Sequence, residues 1–146
     1  MIKNVLLFLW QLPQNVLGAV ICLFIVDYDI VFDKTLIYIH YKTWMSSFSL
    51  GCFIVMNGFT YKEKDVKHER GHQRQSEYLG PLYLLMIALP SFIGHLWDRF
   101  VHKKWTYAER IKWYYNQPWE KWADKLGGVN RDSSKEERNI LGRFCE

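Results

Sequence analysis

The feature that most constrains this chain is the uneven distribution of its apolar residues. Two stretches, 5–26 and 81–97, are almost free of charge, whereas 98–146 is dense in Lys, Arg, Asp and Glu. A chain of 146 residues is long enough for one hydrophobic core and too short for two. We therefore predict a single membrane-associated domain over 1–130, followed by a polar tail over 131–146.

The first apolar stretch, 5–26, is about as long as a helix that crosses a bilayer. Its centre carries Gln11, Pro13, Gln14 and Asn15. Proline lacks a backbone donor and clashes with the preceding turn, so a helix is expected to break there. Polar groups at membrane depth must face protein or water. This stretch therefore predicts a broken helix whose Gln and Asn side chains point inward.

The sequence pattern of the remaining residues predicts an α+β fold that is mostly helical. Residues 35–41 and 52–56 are rich in β-branched and aromatic side chains, which favours two antiparallel strands forming a short β-hairpin. Three polar or amphipathic helices are expected over 61–79, 106–116 and 119–126.

The charge pattern bears on the kind of partner. The formal net charge is +4, and 17% of the residues are aromatic. Lys, Arg and Trp beside apolar segments are typical of a membrane–water interface. We therefore expect membrane lipid, and no nucleic acid, as a partner. The three cysteines form no motif, and their odd number argues against a disulfide framework.

The strongest chemical signal is His68-Glu69-Arg70-Gly71-His72, which matches H-E-x-x-H. On a helix, residues four apart share one face, so both imidazoles can reach a single zinc ion. Glu69 then lies beside the metal-bound water and acts as general base.

A catalytic zinc needs three protein ligands and one open position. Gln75 and Ser76 lie too close along the same helix to complete the set well. Glu120 offers a carboxylate on a separate short helix, and Asp124 follows four residues later on the same face. We predict that Glu120 is the third ligand and that Asp124 accepts the free ring N–H of a zinc-bound histidine.

The two motifs, H-E-x-G-H at 68–72 and E-x-x-A-D at 120–124, together resemble those of membrane metallopeptidases of the HtpX and CAAX prenyl protease type. The resemblance implies a minimal gluzincin domain and a zinc site that faces the cytosol. It also implies the same roles for His68, Glu69 and His72 and for the later pair of carboxylates. Those families carry two membrane helices between the motifs, where this chain has one apolar segment.

A second resemblance assigns the third ligand differently. Site-2-type intramembrane proteases also carry H-E-x-G-H, followed by N-x-x-P-x-x-x-L-D-G. Asn116-Gln117-Pro118 ahead of Asp124 is similar to that pattern, although the spacing differs and Lys125 stands at the place of the glycine. In that interpretation Asp124, and not Glu120, binds the zinc.

A shared metal also constrains the topology. His72 and Glu120 must lie on the same side of any membrane, and 98–119 is too charged to cross back. The segment 82–97 has only sixteen residues and contains Pro90. We therefore expect it to be re-entrant or buried, which leaves 5–26 as the only candidate for a membrane span.

Two classes of function fit these patterns. The favoured one is a zinc-dependent endopeptidase that acts on peptide or protein substrates at the membrane. The alternative is a non-catalytic membrane adaptor with a structural or vestigial zinc site. The enzyme is favoured because a structural site has no need of Glu69 and usually employs cysteine thiolates.

Overall fold

The structure is a computed structural model that describes residues 2–24, 28–33, 36–41, 47–57 and 62–131. Its elements are α1 (Ile2–Trp10), α2 (Leu12–Cys22), β1 (Tyr28–Asp33), β2 (Leu36–Tyr41), β3 (Phe48–Leu50), β4 (Phe53–Asn57), α3 (Glu63–Leu79), α4 (Leu89–Val101), α5 (Tyr107–Tyr115) and α6 (Pro118–Gly127). A 3-10 turn, Gly80–Leu82, and a π-helical segment, Leu84–Ala88, connect α3 to α4. This part of the chain is mostly helical with a small sheet, as predicted. Residues 132–146 of the expected polar tail lie outside the described residues.

The first apolar stretch is broken where the sequence predicts it. Helices α1 and α2 meet at Gln11, and their axes are bent by 77°. Pro13 lies in the first turn of α2, where a missing N–H costs no helical hydrogen bond. Gln11, Gln14 and Asn15 are all buried, which confirms the inward direction of the polar cluster. Taken together, the two helices are long and apolar enough to form one broken membrane span or a re-entrant loop.

The buried amides tie this bend to the rest of the molecule. Asn15 accepts a hydrogen bond of 2.8 Å from the backbone N–H of Cys52 in the turn between β3 and β4. Gln14 donates to the Ser76 hydroxyl at 3.0 Å and to the Gly80 carbonyl at 2.7 Å. These contacts hold the broken helix against the C-terminal end of α3.

Among the described residues, the four strands form one sheet in the order β1-β2-β4-β3. The two predicted strands, β2 and β4, are neighbours, but they run parallel and not antiparallel. The reason is the short strand β3, which intervenes in the chain and pairs antiparallel with β4. The hairpin that precedes α3 is therefore β3–β4, turned at Gly51 with a φ of 60°. Ile54, Val55 and Met56 of β4 are fully buried. Ile54 and Met56 pack with Val66 of α3, whereas Val55 packs with Cys22 of α2.

The second apolar stretch forms one continuous helix over Leu84–Val101, and not the re-entrant or buried segment expected from its length and Pro90. Within the described ranges, this is the one helix long and apolar enough to cross a membrane. Pro90 is accommodated next to a π-helical turn, in which the Leu89 N–H bonds the Leu84 carbonyl. The outward side chains of this helix are exposed, among them Leu85, Met86, Phe92, Ile93 and Trp97.

The last two helices form as predicted. Thr106 caps α5 in a reciprocal arrangement with Glu109. Helix α6 begins at Pro118 and is followed by Gly128, which has a φ of 71°. At the far end of α4, the two carboxylate oxygens of Asp98 share the single Nε–H of Arg110, and Oδ2 also accepts from Nη2 at 2.6 Å. This ion pair fastens α4 to α5.

Candidate metal centre

Two glycines let α3 and α6 approach until their backbones touch. A Cβ on Gly71 would lie 1.9 Å from the carbonyl oxygen of Ala123, and a Cβ on Gly127 would lie 2.0 Å from that of Lys67. Both distances are far below a van der Waals contact. The close approach brings the face of α3 that carries both histidines against the face of α6 that carries the two acids.

The three predicted ligands meet at this crossing. Glu120 Oε2 lies 3.1 Å from His68 Nε2 and 3.2 Å from His72 Nε2. The two imidazole rings are 4.7 Å apart and nearly perpendicular, at 84°. One ligand atom from each of the three residues lies within 4.8 Å of the other two, and all three residues are buried. This buried group could hold a metal ion.

Each histidine has a fixed ring orientation, because its second nitrogen also has a partner. His68 Nδ1 lies 2.7 Å from Asp124 Oδ1, the contact predicted from the sequence. His72 Nδ1 lies 2.7 Å from Gln75 Oε1. Since both acceptors are oxygens without a proton, each Nδ1 carries a hydrogen, and Nε2 is the ring nitrogen that faces Glu120 and would bind a metal.

Gln75 was missed as a supporting residue. It is fully buried, and its amide nitrogen donates to the carbonyl of Trp119 at 2.8 Å, so it links α3 to the start of α6. Its position three residues after His72 puts it on the same helical face, which is the signal that could have identified it.

Asp124 occupies a supporting position. Besides His68, it binds Arg131, whose Nε lies 2.6 Å from Oδ2 and whose Nη2 lies 3.1 Å from Oδ1. The Arg131 guanidinium also lies over the Tyr115 ring, 3.3 Å from its centroid. The ligand atoms that cluster belong to Glu120, so the geometry favours Glu120 over Asp124 as the third ligand.

Glu69 lies beside the cluster on α3. It is buried, and its Oε2 has no hydrogen-bond partner among the described residues. Burial raises the pKa of Glu69, because the charged carboxylate loses hydration. A buried carboxyl with one free oxygen is suited to accept a proton from a small polar molecule.

Hydrogen bonds within the cluster shift the pKa values of His68 and Glu120 in opposite directions. Burial alone lowers the pKa of His68, but hydrogen bonds to Asp124 and Glu120 outweigh it and raise this pKa to about 9. Burial alone raises the pKa of Glu120, but hydrogen bonds from His68 and His72 hold it well below its usual range. A metal ion must displace the histidine proton, because a ligating imidazole is neutral.

Comparison of the chain with protein-family models, with curated proteins and with solved structures gives no match in any of the three. The function must therefore be inferred from the chemistry of the site.

Proposed function

We propose that this chain is a membrane-associated zinc metallopeptidase that hydrolyses peptide bonds in peptide or protein substrates. The observation that carries the proposal is the convergence of His68, His72 and Glu120 beside the buried carboxyl of Glu69. A chance pair of helical histidines would have no reason to meet a third ligand from a separate helix.

The donor set supports zinc as the metal. Two imidazole nitrogens and one carboxylate oxygen form a three-ligand set that recurs in catalytic zinc sites, where the fourth position stays open. Structural zinc sites usually have four ligands and favour thiolates, and the described cluster contains no cysteine. The composition of the cluster thus supports an enzyme over an adaptor with a structural zinc.

The residues divide the chemistry between them. Zinc at this position would supply Lewis acidity toward the scissile carbonyl and lower the pKa of a water molecule to about 7. Glu69 accepts the proton of that water at its free Oε2 and delivers it to the leaving amine nitrogen. Asp124 and Gln75 hold the two imidazoles in the required orientation.

Exposed apolar side chains support the membrane association. They cover α1, α2 and the outward face of α4, and contiguous exposed apolar surfaces of this kind mark contact with a membrane or another protein. Exposed lysines at 103, 104 and 121 accompany the apolar helix and support a cytosolic orientation of the site.

Metal content and proteolysis, measured on the same preparations, test the proposal. Purified protein should contain about one zinc per chain, and His72→Ala should lose it. Glu69→Gln should keep the zinc and the circular dichroism spectrum, but its cleavage of fluorescein-labelled casein should fall by about 10²–10⁴-fold, because only the base is removed.

Two results would contradict this function. Full activity of Glu69→Gln would remove the role assigned to Glu69. Stoichiometric zinc in a wild-type protein that cleaves no unfolded protein or peptide would favour the adaptor.

A further inference from the structure

We infer that Ser91, on the apolar helix α4, positions Glu120 so that this carboxylate binds the metal through Oε2 alone. The inference rests on the metal site of the proposed function, but not on its peptidase activity. With Ser91, helix α4 contributes to the metal centre in addition to α3 and α6, which carry the two motifs.

The contacts form a directed chain of hydrogen bonds. Ser91 Oγ lies 2.6 Å from Glu120 Oε1 and 2.8 Å from the Tyr114 hydroxyl. A serine hydroxyl has a single proton, and the carboxylate of Glu120 can only accept. Ser91 therefore donates to Glu120, and the phenol of Tyr114 donates to Ser91.

The two oxygens of Glu120 consequently have separate partners. Oε2 lies near the Nε2 atoms of both histidines, whereas Oε1 is held by the Ser91 hydroxyl on the other side. Glu120 is fully buried, so water cannot replace a lost donor without a rearrangement. The hydroxyl of Ser91 thus keeps Oε1 away from the metal position and fixes the rotation of the carboxylate.

The sequence of the apolar helix explains why Ser91 faces inward. Its inward residues recur at intervals of three or four, namely Tyr83, Ile87, Ser91, Gly94 and Asp98. Gly94 leaves room next to Trp119 and Tyr114, since a Cβ there would lie 3.8 and 3.9 Å from their rings. Ser91 and Gly94 therefore lie on the face of α4 that packs against α5 and α6, and from this face the Ser91 hydroxyl reaches Glu120.

Two measurements on purified protein test this role. The first is Zn²⁺ affinity, measured by competition with a chromophoric chelator. The second is the visible absorption of the Co²⁺-substituted protein, because four-coordinate Co²⁺ absorbs more strongly than five-coordinate Co²⁺. Ser91→Ala should bind Zn²⁺ about 10–100-fold more weakly. Its Co²⁺ spectrum should weaken as the released Oε1 also becomes a ligand.

Matched variants separate positioning from general damage to the helix. Ser91→Thr keeps the hydroxyl and should restore both affinity and spectrum. Phe92→Ala changes the next residue, which points outward and is 59% exposed, and should leave both readouts unchanged. If Ser91→Ala fails to fold by circular dichroism, Tyr114→Phe decides instead, because it removes the phenol that orients Ser91 and should weaken Zn²⁺ binding in the same direction.

Unchanged affinity and an unchanged Co²⁺ spectrum in folded Ser91→Ala, or in Tyr114→Phe where that variant decides, would overturn the inference. Wild-type protein that binds metal without cleaving peptides would contradict the proposed peptidase and leave the role of Ser91 intact. Wild-type protein that binds neither Zn²⁺ nor Co²⁺ would overturn both.

Discussion

The two histidines of the centre are supported by acceptors of different strength. His68 donates to the carboxylate of Asp124, whereas His72 donates to the neutral amide of Gln75. A carboxylate raises the basicity of a ligating imidazole more than an amide does, because it stabilises the positive charge that the metal induces on the ring. The support of His68 should therefore contribute more to metal affinity than the support of His72.

Single substitutions can distinguish a ligand from its support. Glu120→Ala should lose the metal, Asp124→Ala should bind zinc about 10–100-fold more weakly, and Gln75→Ala should fall between Asp124→Ala and wild type. Chelator competition measures all three. Glu63→Ala is the control, because its side chain is exposed on the same helix as the histidines.

The reverse order would change the assignment. If Glu120→Ala kept full metal and Asp124→Ala lost it, Asp124 would be the third ligand, as the resemblance to the site-2-type proteases implies.

At this scale the sequence predicts the residues of the two motifs that meet in the buried cluster better than the residues outside the motifs that contact it. His68, Glu69 and His72 are recognisable by spacing, and Glu120 and Asp124 by their position on a second helix. Ser91 has no such signal, because its role depends on the packing of α4 against α5 and α6 and not on any local pattern.

At the scale of the elements, the centre depends on the close crossing of α3 and α6. The small residues Gly71, Ala123 and Gly127 lie at the points of contact. Side chains any larger would separate the helices and move the carboxylate away from the imidazoles.

Gly71→Ala tests this crossing. The new Cβ would lie 1.9 Å from a backbone oxygen, which cannot move as a flexible side chain can. We expect a loss of stability of about 1–3 kcal/mol, after an offset of up to about 1 kcal/mol from the better helix propensity of alanine. Thermal unfolding followed by circular dichroism measures the loss, and zinc affinity should fall with it.

Gly94→Ala is the matched control, since its Cβ would lie 3.8 Å from the nearest ring atom, on Trp119, which is an ordinary contact. It should unfold at the wild-type temperature or slightly above. Equal melting temperatures for Gly71→Ala and Gly94→Ala would mean that α3 and α6 do not touch at Gly71.

Helices were easier to predict from the sequence than strand pairing. Helix α3 ends at Gly80, α5 begins after Thr106, and α6 lies between Pro118 and Gly128, so each helix has at least one end that a residue type marks. The β-branched and aromatic residues of β2 and β4 indicate strands, but they do not indicate whether the two strands run parallel or antiparallel. That direction depends on β3, which at three residues is too short to show a periodic pattern.

For the whole molecule, the contact between Ser91 and Glu120 relates the position of the metal centre to that of the apolar helix, and so to the membrane. Ser91 lies near the middle of the helix Leu84–Val101 and reaches Glu120 at 2.6 Å. An 18-residue helix is about 27 Å long, nearly the thickness of the hydrocarbon layer. If this helix crossed a bilayer upright, the metal centre would lie close to the midplane.

The charged residues around the metal centre disfavour a position at the bilayer midplane. Lys121 and Lys125 are exposed on α6, next to Glu120. A lysine at the bilayer centre costs roughly 2.5–3.5 kcal/mol on insertion scales. A helix lying in the plane of the interface avoids this cost, because its apolar face contacts lipid while α5 and α6 stay in water. We therefore predict that Leu84–Val101 does not span the membrane.

Cysteine labelling at the two ends of this helix tests the orientation. In a background with the native cysteines replaced, Tyr78→Cys and Lys104→Cys each place a thiol at an exposed position outside the apolar stretch. The protein should partition with sealed vesicles, and a membrane-impermeant maleimide added outside should label both positions to the same extent. An in-plane helix keeps both ends on one surface, whereas an upright helix separates them by a hydrocarbon layer of about 30 Å. Labelling of only one position, with the other appearing after the vesicles are opened by detergent, would show that the helix spans and that the metal centre lies within the bilayer.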